Sequence, residues 1–231
     1  MKYYALVGSD IQASPSPAVH KRLFEERGVL ADYRLIQTRS LKPVLAELKA
    51  LHGFNVTIPF KTGIIKHLDG LSTQAEEYAA VNTVKNEGGR LIGHNTDGFG
   101  FLQAYTAVPG SVAQTASGND FLIAGAGATA RTIACVLLKL GCRVTLAVRN
   151  INSKNARFTV NHLKRYPQNA VKIIEMPQDA NLSALNCQKC YTINTVPAPI
   201  RADFDVSAAT KSGLAMLEHQ AAKAQEFWAG R

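Results

Sequence analysis

Short extended runs of apolar residues alternate with stretches of helical spacing along most of this chain. Lys2–Gly8 reads as a first strand. A loop from Gly8 to His20 follows, stiffened by Pro15 and Pro17. Ser16 suits a helix cap and Pro17 the first helical position. Val19, Leu23 and Phe24 then give one apolar helical face, ending near Gly28. Ala31–Gln37 is a second strand, and Leu41, Val44, Leu45, Leu48 and Leu51 keep helical spacing behind Pro43. In the stretch Asn55–Lys61, Val56 and Ile58 alternate with Asn55 and Thr57 as a strand up to Pro59, which stops the pairing. Residues 60–68 and 72–80 read as short helices. Val81–Lys85 and Arg90–His94 read as a hairpin around Asn86–Gly89, followed by a helix over 97–107.

Residues 108–118, rich in Gly, Ser, Thr and Ala, are a loop and a candidate boundary. Beyond them an apolar strand, Asp120–Ala124, runs into Gly125-Ala-Gly127-Ala-Thr-Ala130 and then into an apolar helix through Ile133, Val136, Leu137 and Leu140. Strands follow at 142–148, 171–174 and 191–194, with a helix through Ala156, Val160 and Leu163 between the first two. The last helix runs from about Ala208 to Trp228, with Leu214, Leu217, Ala221, Ala224 and Trp228 on one face. Strand and helix in alternation predict an α/β fold with parallel sheets.

The 231 residues are enough for one or two domains with a sizeable core, and 46% apolar with 19% charged is ordinary for a globular chain. There is no run of 18 apolar residues to cross a membrane. The first apolar run is too short for a signal peptide, so the default is a soluble cytoplasmic protein. The net charge of +9 is uneven: residues 1–100 carry 12 basic and 10 acidic side chains, residues 101–231 carry 14 and 7. The basic residues are scattered and few aromatics interleave with them, so a small phosphate-bearing ligand is a simpler partner for the second half than nucleic acid. Cys135 and Cys142 sit in apolar patterns as core residues. Cys187-Gln-Lys-Cys190 lacks the second ligand pair that a zinc site needs, so no metal is expected.

Two features carry chemistry. Lys61 lies just past a strand end, where α/β folds place ligands, and Asn95-Thr-Asp97-Gly98 repeats that logic with a carboxylate, which also suits a helix cap. A lysine and an aspartate in a dry cleft can pass a proton to and from a substrate oxygen. In the second half, Gly125 permits the tight turn, Gly127 lets a pyrophosphate approach the backbone, and Ala130 keeps helix and strand close. After the next strand no acid stands ready for a ribose hydroxyl. Arg149-Asn150 is there instead, with Lys154 and Arg157 near, which favours NADP over NAD. Ser14 is available for a hydroxylated ligand, and Met216 and Gln220 are the last-helix positions that can face one.

These motifs together resemble the shikimate dehydrogenase family, including its quinate/shikimate relatives. The likeness runs from Tyr4 to Gly230 and rests on Ser14-Pro-Ser16-Pro17 with His20, Asn55-Val-Thr-Ile-Pro-Phe-Lys61, Ala80-Val-Asn82-Thr-Val, Gly93-His-Asn95-Thr-Asp97-Gly98, Gly125-Ala-Gly127 and Met216-Leu-Glu-His-Gln220-Ala. The resemblance implies an α/β substrate domain over 1–100, completed by a returning helix over 208–231, and a Rossmann-like NADP domain over 101–207. It implies reversible, NADP-dependent reduction of 3-dehydroshikimate to shikimate in chorismate and aromatic amino acid biosynthesis, by a cytoplasmic monomer or homodimer with no nucleic-acid or membrane partner. Lys61 and Asp97 are the implied catalytic pair, with hydride passing at C3. The implied substrate set is Ser14, Ser16, Asn55, Thr57, Lys61, Asn82, Asp97 and Gln220. The implied cofactor set is Gly125, Ala126, Gly127, Ala128, Thr129, Arg149, Asn150, Lys154, Gly213 and Met216. A quinate or aminoshikimate dehydrogenase and a weakly active or non-catalytic binding relative are the alternatives. A folate-type dehydrogenase does not explain Ser14 and Ser16.

The chain departs from that family in three places. Val148 stands where the family usually has Asn before the arginine, and Asn150 where it has Thr. The loop after Asn194 reads Thr-Val-Pro instead of Ala-Thr-Pro. Between Pro197 and Gly213 the family has a strand, a Tyr-x-Pro stretch whose tyrosine contacts substrate, and a helix, which take roughly thirty residues. Ala198 to Ser212 offers about half of that, so most of the block is expected to be missing, leaving the cofactor sheet short at one edge.

Overall fold

The computed structural model describes residues 1–108, 118–176, 190–196, 200 and 202–230. They form two units, Met1–Gly100 with Leu217–Arg231, and Phe101–Met216.

In the first unit, β1 (Lys2–Gly8), α1 (Ser16–Glu26), β2 (Ala31–Gln37), α2 (Leu45–Lys49) and β3 (Gly53–Val56) are followed by β4 (Gly70–Leu71), α3 (Thr73–Tyr78), β5 (Thr83–Glu87), β6 (Arg90–His94) and the start of α4 (Asp97–Thr106). The strands form one sheet in the order β2-β1-β3-β5-β6-β4. Only part of it is parallel: β1 pairs β2 and β3 in parallel, whereas β5 is antiparallel to both β3 and β6. The β5–β6 hairpin causes this, because a tight turn can join only antiparallel neighbours. Its turn uses Gly88 and Gly89, both with positive φ. β3 is shorter than the alternation suggests. It ends at Val56, and Ile58, read as an inward strand residue, is 59% exposed beyond it.

One sheet face buries Val7, Phe54, Val56, Ile64, Val84 and Leu91 together. The other buries Tyr4, Leu6, Phe24 and Tyr33 beneath Ala224 and Trp228 of α7 (Lys211–Ala229). Trp228 stacks on Tyr4 at 4.4 Å and donates from its indole to the Val84 carbonyl at 2.9 Å. Gly53 makes room for it: a side chain there would meet the indole nitrogen at 2.6 Å. Ala221, Ala224 and Trp228 are buried as the helical pattern predicts, but Leu214 is 39% exposed, and Gln225 is buried although polar.

Two buried histidines make this unit acid-sensitive. Burial, with Arg27 nearby, lowers the His20 pKa to about 3, and burial, with Lys223 nearby, lowers that of His94 to about 4. Between those values and the ordinary value near 6.5 the unfolded chain binds more protons than the folded one, so stability is complete above that range and falls as pH drops. Each ring can contribute up to about 1.4 kcal/mol per pH unit. Denaturant titration is expected to give roughly 3 kcal/mol less stability at pH 5 than at pH 7, and His94→Gln to flatten the slope; equal stabilities at the two values would contradict the assignment.

In the second unit β7 (Asp120–Ala124), α5 (Ala128–Lys139), β8 (Arg143–Val148), α6 (Lys154–Leu163), β9 (Val171–Glu175), β10 (Cys190–Asn194) and β11 (Phe204–Asp205) make a wholly parallel sheet in the order β11-β10-β7-β8-β9. Ser153 caps α6 by accepting from the Ala156 amide at 3.2 Å. The stretch Ala198–Ser212, where most of the family's block is expected to be missing, keeps among the described residues the two-residue edge strand β11. The turn after it is closed by its own hydroxyls: Thr210 and Ser212 both donate to the Asp205 carbonyl, and the Gly213 amide donates to Thr210 Oγ1. Gly213 is buried, and a side chain on it would overlap the Ser207 carbonyl. Cys135 and Cys142 are buried and outside any disulfide, and Cys190 is disulfide-bonded; Cys187 lies outside the described residues.

Candidate functional site

The hairpin and the end of β3 bring the polar motifs of the first unit together. Lys61 follows the β3 end, and its carbonyl accepts from the Val81 amide, which ties it to the segment entering β5. Asp97 opens α4 directly after β6 and is 1% exposed. Lys61 Nζ donates to Asp97 Oδ2 at 2.5 Å, with only 11% of the lysine side chain exposed. Asp97 Oδ1 accepts from Asn82 Nδ2 at 2.8 Å, so the two carboxylate oxygens take a cation and an amide.

Asn82 is itself fixed from several sides. Its Nδ2 reaches Thr96 Oγ1 at 3.0 Å, and its Oδ1 accepts from the Thr96 amide at 2.8 Å and Thr83 Oγ1 at 3.1 Å. Asn95 holds the turn before α4, accepting from the Asp97 amide and donating to the Ala80 carbonyl. Asn55 joins from β3: its Nδ2 donates to the Asn82 carbonyl at 3.1 Å and Thr83 Oγ1 at 3.0 Å, and its Oδ1 accepts from Tyr33 at 2.8 Å. A charge pair in such a place persists because hydrogen bonds offset its desolvation. A buried ammonium against a fixed carboxylate, with partial access to water, is suited to give and take a proton.

Of the other residues read for this site, Ser14 and Ser16 bond each other at 3.1 Å between hydroxyls. Ser16 is not the helix cap. α1 starts one residue earlier, with Pro15 as its cap residue and the Val19 amide bonded to the Pro15 carbonyl; it is Ser14 Oγ that accepts from the Ser16 amide. Thr57 and Gln220 are half-buried. Thr83 and Thr96 lie inside the sequence motifs beside Asn82 and Asp97, whereas Tyr33 and Gln225 carried no sequence signal, because only the pairing of distant strands and helices places them here.

In the second unit the glycine-rich turn has the geometry for a phosphate. Gly125 takes φ +108, which favours glycine, and a side chain there would meet Thr195 Oγ1 at 2.7 Å. Gly127 caps α5 without a side-chain bond, and among the described residues nothing lies within 4 Å of where its side chain would begin. A helix N-terminus whose glycine cap offers no side-chain bond suits an anion. Ala126 is buried, Ala128 and Thr129 half-buried. The turn is anchored from behind: the Ala126 carbonyl accepts from Thr159 at 2.8 Å, and Thr159 accepts from the buried Arg131 at 3.2 Å.

Arg149, Asn150 and Lys154 are exposed past the β8 end. Asn150 Oδ1 accepts from the Asn152 amide at 2.8 Å. An acid does stand nearby: Glu175, level with Val148 on β9, accepts from the Ile151 amide at 3.1 Å. The sequence hid it, because it is far along the chain from Arg149. Met216 is 2% exposed and Gly213 is packed against the turn before α7.

A family model described as shikimate dehydrogenase substrate binding domain matches residues 6–84. The shikimate dehydrogenase (NADP(+)) of Lysinibacillus sphaericus (strain C3-41) is 34% identical, covering 99% of this chain and 92% of that relative. The alignment runs over 259 positions against 231 residues here, so at least 28 positions of the relative face gaps. The crystal structure of shikimate dehydrogenase from Aquifex aeolicus superposes with a TM-score of 0.82 at 26% identity, over 100% of this chain and 93% of that one. A Thermus thermophilus shikimate 5-dehydrogenase, solved in complex with NADP(H) and shikimate, superposes with a TM-score of 0.79 at 26% identity, over 100% and 94%.

Proposed function

We infer the reaction from one premise: the chain belongs to the shikimate dehydrogenase family. It catalyses the reversible, NADP-dependent interconversion of 3-dehydroshikimate and shikimate. The observation that carries this reading is the buried Lys61–Asp97 pair, held by Asn82 inside the unit that the substrate-domain model matches.

In the reducing direction Lys61 Nζ gives a proton to the oxygen at C3 as that carbon is reduced. Asp97 holds the ammonium in place and takes the charge change at close range. In the oxidising direction Lys61 accepts the hydroxyl proton. Ser14, Ser16, Asn55, Thr57, Asn82 and Gln220 supply the hydroxyls and amides that a polyol carboxylate requires. When bound, the nicotinamide cofactor would supply the hydride as NADPH in the reducing direction and take it up as NADP(+) in the oxidising one. Gly125 to Thr129 would hold its pyrophosphate and Arg149, Asn150 and Lys154 its 2′-phosphate, with Gly213 and Met216 completing the cofactor set.

Two assays test this. Purified protein is expected to reduce NADP with shikimate, read as nicotinamide absorbance; absence of turnover refutes the reading. Arg149→Ala is expected to weaken NADP by roughly ten- to a hundredfold while changing NAD little, since one charge-assisted contact to phosphate is lost. Equal losses for both nucleotides would remove Arg149 from the 2′-phosphate.

The shortened connection between β11 and α7 favours a second reading, a relative that binds shikimate with little turnover. It predicts a thermal shift with shikimate in a protein that reduces no NADP.

A further inference from the structure

Behind Asn55 and Asn82 of the substrate set lie further polar groups, Gln225, His20 and Tyr33, that the reaction itself does not use. Gln225 of α7 donates from Nε2 to the His20 carbonyl at 3.1 Å and meets His20 Nδ1 at 3.3 Å. The carbonyl bond fixes the Gln225 amide with its nitrogen toward His20, so Nδ1 is an acceptor and the neutral ring carries its proton on Nε2. His20 lies flat on Tyr33, with ring centroids 4.1 Å apart and planes 9° apart, and also hydrogen-bonds the Asn55 side chain. Tyr33 reaches across β1 and donates to Asn55 Oδ1 at 2.8 Å. Asn55 passes the direction on by donating to Thr83 Oγ1 at 3.0 Å, Thr83 donates to Asn82 Oδ1, and Asn82 Nδ2 donates to Asp97.

Each donor in this line points toward the carboxylate. Bonds aligned in that way polarise one another, and a line with one member reversed would leave two acceptors facing each other. Burial raises the Tyr33 phenol well above its ordinary range and keeps His20 neutral, so neither donor changes state near neutral pH. The arrangement carries a cost: Gln225 Oε1 is buried with no hydrogen-bond partner among the described residues. An orphaned acceptor of that kind is destabilising, so the geometry retained here is that of the Gln225 amide nitrogen against His20.

We propose that Tyr33 and His20 are positioning residues, which lock the Asn55 amide in one orientation and through it set Asn82 and Asp97 for the substrate. This rests on the shikimate reading of the site for its kinetic consequence, but not for its geometry.

The test therefore has two arms. Nitrogen-15 histidine spectra of the whole protein read the tautomer directly. His20 protonated on Nε2 supports the line, and a proton on Nδ1 overturns it whatever the substrate. The second arm compares Tyr33→Phe, which keeps the ring stack, in two backgrounds. In the otherwise native protein it is expected to lower kcat/KM for shikimate about tenfold, as loss of one buried hydrogen bond to a positioned group implies, with the thermal midpoint almost unmoved. In the Asn55→Ala background the same change is expected to have less than about a twofold effect, because the amide it orients is gone. An equal factor in both backgrounds, or no effect in the first, overturns the proposal. If the native protein does not turn over shikimate, the functional reading fails and the spectra alone decide the inference.

Discussion

Lys61→Ala is expected to lower kcat for shikimate oxidation by about 10²–10⁴-fold, the range for loss of a positioned proton-transfer group. KM for shikimate should change much less, because the hydroxyls and amides around the site stay in place. The variant should also be somewhat less stable. Asp97, at 1% exposure, keeps Asn82 but loses its cation, and a buried charge without its partner is costly. The 11% exposure of the Lys61 side chain moderates that cost, since water can enter where the lysine stood. The decisive measurement is kcat at saturating shikimate, taken well below the variant's own thermal midpoint. An unchanged kcat would remove Lys61 from the chemical step.

Gly213→Ala is expected to destabilise the protein by about 3 kcal/mol, at the upper end of overpacking effects. The added methyl group would overlap the Ser207 carbonyl, which is backbone and cannot rotate away. Relief by shifting the helix start would break the bonds that close the turn, from Thr210 and Ser212 to the Asp205 carbonyl and from the Gly213 amide to Thr210. A denaturant midpoint equal to that of the native protein would show that this turn adjusts freely. The same packing gives Gly213 a structural reason to be glycine beside the cofactor contact proposed for it.

The elements were legible from residue pattern wherever they were long and bounded by strong local signals. The strand running into Gly125-Ala-Gly127 and the Asn86–Gly89 hairpin turn are instances, because glycine turns and alternation are local physics. Sheet direction was less legible, since the hairpin forces antiparallel pairing into a series that otherwise alternates strand and helix. Lys61 and Asp97 were legible as strand-end residues 36 positions apart. What joins them was not. Tyr33 looks like an ordinary inward strand residue, and Gln225 like one polar position on a helix that is mostly packed. Their roles depend on contacts with Asn55 and His20, 22 and 205 positions away, and no spacing rule spans such separations. Leu214 failed as a core residue for a related reason: helical periodicity says which residues share a face, not where a partner surface stops.

The stack of Trp228 on Tyr4 also bears on how the protein is made. β1 is translated some two hundred residues before α7, and until α7 has been synthesised one of its faces has only the partial cover that Phe24 of α1 gives it. The Phe101–Met216 unit is contiguous in the chain and can close earlier. Throughout that interval Tyr4, Leu6, Phe24 and Tyr33 lack the cover of Ala224 and Trp228, and a ribosome stalled before α7 would present the apolar surface left open to chaperones and proteases.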